Sequence, residues 1–183
     1  MMQTIEQEAT RGPRQVTGGR ALPQQTLDDK RDGRQYLTFM LGVEVFAINI
    51  LRIKEIIEYG HLTMVPQMPS FIRGVINLRG AAVPVIDLAA RFDRADAAIS
   101  RKTCIVILEV GYAQAERVIG VMVDAVNEVL EIASDQIEPV PSFGTSVRTD
   151  FIDGMGKVDQ KFVIILNVNQ LLSANEMAEL VLN

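Results

Sequence analysis

Side chains able to make or break bonds are scarce in this chain and stand apart from one another. The single histidine, His61, follows Gly60 in a polar stretch with no cysteine or second histidine nearby, so it cannot build a metal site of the usual kind. The single cysteine, Cys104, has no partner for an internal disulfide and lies in the apolar run Thr103-Cys104-Ile105-Val106-Ile107-Leu108, where it reads as a small buried hydrophobe. A serine nucleophile of the Gly-x-Ser-x-Gly type is missing, and Gly154-Met155-Gly156 lacks the third glycine and following helix of a nucleotide loop, so that pair is expected to serve a turn. Glu55, Asp87 and Glu128 leave a general acid and base pair open on residue type, with surface or structural roles as the plainer reading. No catalytic group, metal or cofactor is assigned, and the expectation is a protein that is not an enzyme.

What must be positioned is therefore a surface. The chain has 183 residues, 48% hydrophobic and 22% charged, enough to bury one or two cores. A net charge of −5 offers no basic field to nucleic acid or to an anionic lipid surface. No stretch reads as a secretory signal or a membrane span, so the expected location is the cytoplasm without direct membrane insertion. Residues 1–34 are polar and lack periodicity, and they are expected to be a flexible N-terminal extension. They hold six basic and five acidic residues, so the acidity belongs to the rest of the chain.

From Gln35 onward, short runs rich in Val and Ile alternate with Gly, Pro and charged residues, the texture of strands. Expected strands cover 36–41, 45–50, 74–78, 82–88, 103–110, 117–123, 126–132, 154–158 and 162–168. Pro84 lies inside one of them, which should therefore be an edge strand or bulged at that point. Ser173-Ala174-Asn175-Glu176 has capping-box spacing ahead of Met177, Leu180 and Val181, which predicts a C-terminal helix. Two blocks also repeat without gaps. Val45 to Glu58 lies over Val118 to Glu131, placing Glu55 on Glu128; Phe71-Ile72-Arg73-Gly74 lies over Phe151-Ile152-Asp153-Gly154, and Val83 to Leu88 continues over Val163 to Val168. Each half supplies about five strands, enough for a small closed barrel. The expected domain, 35–183, is thus made of two pseudo-repeated barrel subdomains packed tightly together, with the seam between them as the binding surface.

The stretch Gly74-Val75-Ile76-Asn77-Leu78-Arg79-Gly80, followed by Val83-Pro84-Val85-Ile86-Asp87-Leu88, closely resembles the CheW family, the coupling proteins of bacterial chemotaxis. Ile50 to Ile56, Gly120 to Val126 and Asn167 to Leu172 carry the same resemblance. It implies a mostly β fold of two intertwined five-stranded Src-homology-3-like barrels with short helices and a C-terminal helix. It also implies a non-catalytic adaptor in two-component signal transduction, joining the cytoplasmic signalling tip of chemoreceptors to the regulatory domain of the histidine kinase CheA, in arrays at the inner face of the membrane. A coupler for pili or surface growth is the alternative, and an enzyme or small-ligand binder on a duplicated barrel a remote one.

By the same resemblance, the apolar positions Ile53, Val126 and Val129 line a groove for the receptor's helical hairpin, with Ile50, Ala82, Cys104 and Ile105 adding to it and Glu55 among the candidates for binding receptor or kinase. Ordinary core positions are the alternative for each apolar member. Arg79, in a turn with Gly80, is expected to pair with Glu55 and brace the seam, the alternative being a solvated turn arginine. Arg73 could reach an acidic partner, and Gly74, repeated at Gly154, marks a backbone position that a side chain would crowd.

Overall fold

The computed structural model describes residues 33–95, 98–142 and 147–182. The expected N-terminal extension falls outside these residues, apart from Gly33 and Arg34, which already belong to the first strand. Eleven strands occur among the described residues: β1 (Gly33–Leu41), β2 (Glu44–Asn49), β3 (Ile53–Glu58), β4 (Ile72–Leu78), β5 (Ala81–Asp87), β6 (Cys104–Tyr112), β7 (Ala115–Val123), β8 (Ala125–Ala133), β9 (Ile137–Glu138), β10 (Ile152–Val158) and β11 (Lys161–Leu166). A short helix α1 (Leu88–Arg91) follows β5, and α2 (Ala174–Leu182) closes the chain.

The strands form two sheets, ordered β8-β1-β2-β11-β10-β9 and β3-β6-β7-β5-β4. The chain's halves exchange strands between them. β1 and β2 leave the first half to join β8–β11, whereas β6 and β7 leave the second half to join β3–β5. Under the sequence repeat, each strand of the five-stranded sheet falls on one of the other sheet, in the same order, with β9 as a two-residue addition. Even registers coincide: the parallel pair Ala47 and Ile165 occupies the place of Gly120 and Val85. Bulges recur too, between Ile53 and Glu55 opposite β6 and between Ile72 and Gly74, with twins in the β1–β8 and β10–β11 ladders.

Three apolar layers result. Tyr36, Ala47, Ile132, Val163 and Ile165 fill the six-stranded barrel. Val83, Val85, Ile105, Ile107 and Met122 fill the five-stranded one. The alternate residues of the same strands, among them Leu37, Phe39, Phe46, Ile48, Val106, Leu108, Ile119 and Val121, form a larger core shared by both barrels. Inner strands are thus apolar on both faces, which explains unbroken runs such as Ile105 to Leu108. Phe39, Phe46, Phe92 and Phe151 pack in series through the shared core, with ring centroids 6.0, 5.8 and 5.3 Å apart.

Several expectations change. Pro84 is neither on an edge strand nor bulged: β5 lies between β4 and β7, and Pro84 pairs with Val75. Its missing N–H is tolerated because the ladder to β7 begins only at Val85. Gly154 and Gly156 form no turn; they lie within β10, where a Cβ at 154 would come 2.7 Å from Ile137 and one at 156 would come 3.0 Å from Ile132. β3 and β9 were not among the expected strands, and Val168 begins a 3-10 turn after β11. The C-terminal capping box forms as expected, with Glu176 N–H donating to Ser173 Oγ (3.2 Å) and Ser173 N–H to Glu176 Oε2 (2.6 Å). Glu176 also holds Arg91 at 3.1 and 3.0 Å, fastening α2 to α1. Among the described residues, no helix is long and apolar enough to cross a membrane.

Candidate functional site

β3 and β8, twin edge strands of the two sheets, border the shared core. Their alternation sets one row of side chains toward that core and the next toward the barrel interior. On β3, Ile53 packs on the shared core and Ile56 stands opposite the buried Val106; on β8, Val126 packs on the same core and Val129 stands opposite the buried Leu37. Ile56 and Val129 nonetheless remain 42% and 46% exposed, because no further strand covers these edges. One end of this margin is Cys104, whose sulfur lies near both Glu58 of β3 and the backbone N–H of Val126 on β8. The other end is a cavity of about 1080 Å³ lined by Gln35, Ile50, Leu51, Arg52 and Glu131. Along that side Lys54 Nζ holds Glu109 Oε1 at 2.6 Å and keeps its carboxyl below the usual range.

Five expected residues, Ile50, Ile53, Cys104, Val126 and Val129, therefore lie along one apolar margin. Ile105 does not: it is fully buried inside the five-stranded barrel, because the residue after Cys104 must face the opposite side of β6. Ala82 is exposed on β5, which β6 and β7 separate from β3 in the order of the sheet. Ile56 and Leu51 are additions; Ile56 is three residues from Ile53, and the bulge between Ile53 and Glu55 left no period-two signal that could have found it. Cys104 is only half-buried, and burial together with the Glu58 carboxylate pushes its thiol above the ordinary value. Only the thiolate reacts, so the alkylation rate of the native chain is expected to rise with pH at a higher midpoint than in urea. Iodoacetamide kinetics at several pH values check this; an equal or lower native midpoint contradicts it.

Arg79 meets Glu55 through two contacts, Nη1 to Oε1 at 3.2 Å and Nη2 to Oε2 at 3.4 Å. Both residues belong to the five-stranded sheet, so the pair does not brace the seam. It links edge strand β3 to the β4–β5 turn and latches the mouth of that barrel. With Arg79 78% exposed, the pair's coupling in a double-mutant cycle of urea unfolding is expected at about 0.5 kcal/mol, diminishing with salt. Strict additivity of Arg79→Ala and Glu55→Ala would contradict it.

Arg73 finds its acidic partner within the chain, Asp87 at 3.8 Å, while Asp87 also caps α1. Gly74 has φ +152°, and a Cβ there would lie 2.6 Å from the carbonyl oxygen of Thr63. Gly74→Ala is expected to destabilise the fold by about 1–3 kcal/mol, read as a lower urea midpoint; an unchanged midpoint contradicts the crowding. Gly80 occupies the second place of the Arg79 turn with φ +87°. His61 is exposed in the loop after β3. Among the described residues no three His, Cys, Asp or Glu side chains converge as metal ligands.

Two interlaced barrels with an apolar margin along their joint define a scaffold that works by binding proteins. Residues 35–176 match the family model described as CheW-like domain. The chain is 37% identical over 146 residues to the chemotaxis protein CheW of Klebsiella aerogenes, covering 80% of this chain and 86% of that protein. It is 32% identical over 143 residues to the probable chemotaxis protein CheW of Rhizobium etli, covering 78% and 90%. The crystal structure of scaffolding protein TtCheW from Thermoanaerobacter tengcongensis superposes with a TM-score of 0.71 at 35% identity, over 79% of this chain and 90% of that one. This chain belongs to the CheW family: it is a chemotaxis coupling protein, a non-catalytic scaffold.

Proposed function

We propose that this scaffold joins the cytoplasmic signalling tip of chemoreceptors to the regulatory domain of the kinase CheA, in the cytoplasm beneath the receptor array. The margin between β3 and β8 takes the receptor's helical hairpin. The observation that carries this reading is the pair of exposed apolar side chains, Ile56 and Val129, continuing the buried face of the shared core. A helix laid along them buries its own apolar row at i, i+3, i+4 and i+7. The barrels' outer surfaces remain for the kinase domain. Their twin positions differ in charge, Arg73 against Asp153, so each barrel offers a different face. Residues 35–183 act as one domain of two repeated barrels, because the exchanged strands leave neither barrel complete without the other half of the chain.

The test is cosedimentation of the kinase with vesicles bearing the cognate receptor. The kinase is expected to sediment with the vesicles when the chain is added and to stay in the supernatant without it. Failure to recruit kinase at saturating chain concentrations overturns the reading.

A further inference from the structure

The duplicated barrels supply an internal comparison at their mouths. In the five-stranded barrel, the mouth is latched by Arg79 and Glu55. In the six-stranded barrel the repeat puts Glu128 where Glu55 stands and Asp159 where Arg79 stands. The turn geometry matches: Arg79-Gly80 has φ angles of +51° and +87°, and Asp159-Gln160 has +48° and +63°, both two-residue turns of the hairpin-favoured type. Where one barrel sets a guanidinium against a carboxylate, the other sets two carboxylates around one cavity. No ion pair to Glu128 or Asp159 occurs among the described residues, and Glu44 beside them is held by Arg94 at 2.7 Å.

The unlatched mouth is open. A cavity of about 740 Å³ lies there, lined by Glu128 and Asp159 together with Met40, Leu130, Val158 and Phe162. Lys161, also on its wall, supplies one cation against the two carboxylates. At the rim, Val43 of the β1–β2 turn is 94% exposed and Phe162 of β11 is 53% exposed. The counterpart of Phe162 in the latched barrel is Ala82, so the open mouth has gained apolar surface where it has lost its arginine.

We propose that the mouth of the six-stranded barrel is a docking site for an arginine side chain of a partner protein, carried next to an apolar residue. The guanidinium forks onto Glu128 with Asp159 beside it, taking the place that Arg79 fills in the twin barrel, and the apolar neighbour covers Val43 and Phe162. Charge complementarity and the twin barrel's own solution identify the occupant. The site adjoins the β3–β8 margin, since Glu128 lies on β8 between Val126 and Val129, but it does not depend on the receptor and kinase assignment.

The test uses N-acetyl-leucyl-arginine amide as probe, titrated into the isotope-labelled full-length chain and followed by amide chemical shifts. The citrulline analogue, equal in shape but uncharged, is the comparison. Saturable shifts at Glu128, Asp159 and Phe162 are expected, with a Kd on the order of 1 mM and at least about tenfold weaker binding of the citrulline peptide. Asp159→Arg is expected to latch the mouth, since arginine already occupies the equivalent turn position in the twin barrel, and to abolish the shifts while the rest of the spectrum stays dispersed. Glu128→Gln is expected to weaken binding without refilling the site. Equal binding of the citrulline peptide, no shifts up to about 10 mM, or unchanged shifts in Asp159→Arg would each overturn the proposal.

Discussion

Val129→Asp is expected to lower affinity for the receptor signalling tip by at least about 30-fold, roughly 2 kcal/mol, while leaving the chain folded. The asymmetry follows from where Val129 stands. At 46% exposure on an edge strand, an aspartate there stays hydrated in the free protein, so stability should change by no more than about 1 kcal/mol. Under a docked helix the same carboxylate is stripped of water on a margin whose core-packed members Ile53, Val126 and Cys104 offer no cation to meet it. Calorimetric titration of the receptor tip, paired with urea unfolding of the free variant, separates the two effects. Retained affinity would place the receptor elsewhere, and unfolding would make Val129 a core residue.

Phe46→Ala should have the largest effect on the fold, a loss of about 3–5 kcal/mol. Phe46 is fully buried in the shared core, lies between Phe39 and Phe92, and has the Arg94 guanidinium 5.3 Å above its ring. Although β2 belongs to the six-stranded sheet, its outward row packs against side chains of the five-stranded one. The loss is therefore expected in both barrels at once, as a single urea transition with coincident midpoints for amide signals from Ile48 and Val121. Two separate transitions would show that the barrels fold as independent units, contrary to the shared core.

Much of this architecture was legible because duplication leaves marks that spacing alone reveals. The ungapped match of Val45–Glu58 with Val118–Glu131 anticipated that β2 and β3 have twins in β7 and β8, although β3 itself went unassigned. Its six residues, Ile53–Glu58, mix isoleucine with charge because none of them is fully buried on this edge strand, and the bulge at Lys54 breaks strict alternation. What the repeat could not reveal was the exchange of strands, which depends on pairing between distant segments. For the same reason Arg79 and Glu55 were matched correctly by charge but placed at the seam, when both belong to one sheet. Gly154 and Gly156 misled because glycine reads as a turn former; here close approach of Ile137 and Ile132 requires it inside a strand. Cys104 and Ile105 show the limit in one dipeptide. Neighbours on a strand face opposite sides, so only the direction of β6 could decide that the cysteine borders the margin and the isoleucine fills a barrel.

One two-barrel body is proposed to hold a receptor and a kinase at different surfaces at the same time. Sedimentation velocity on the chain with the receptor signalling tip and the kinase regulatory domain, each singly and then together, tests it most directly. Two binary complexes and a heavier ternary one are expected, with Val129→Asp losing the receptor from its binary complex and from the ternary one while keeping the kinase. Mutually exclusive binding, or binding to neither partner, would contradict it.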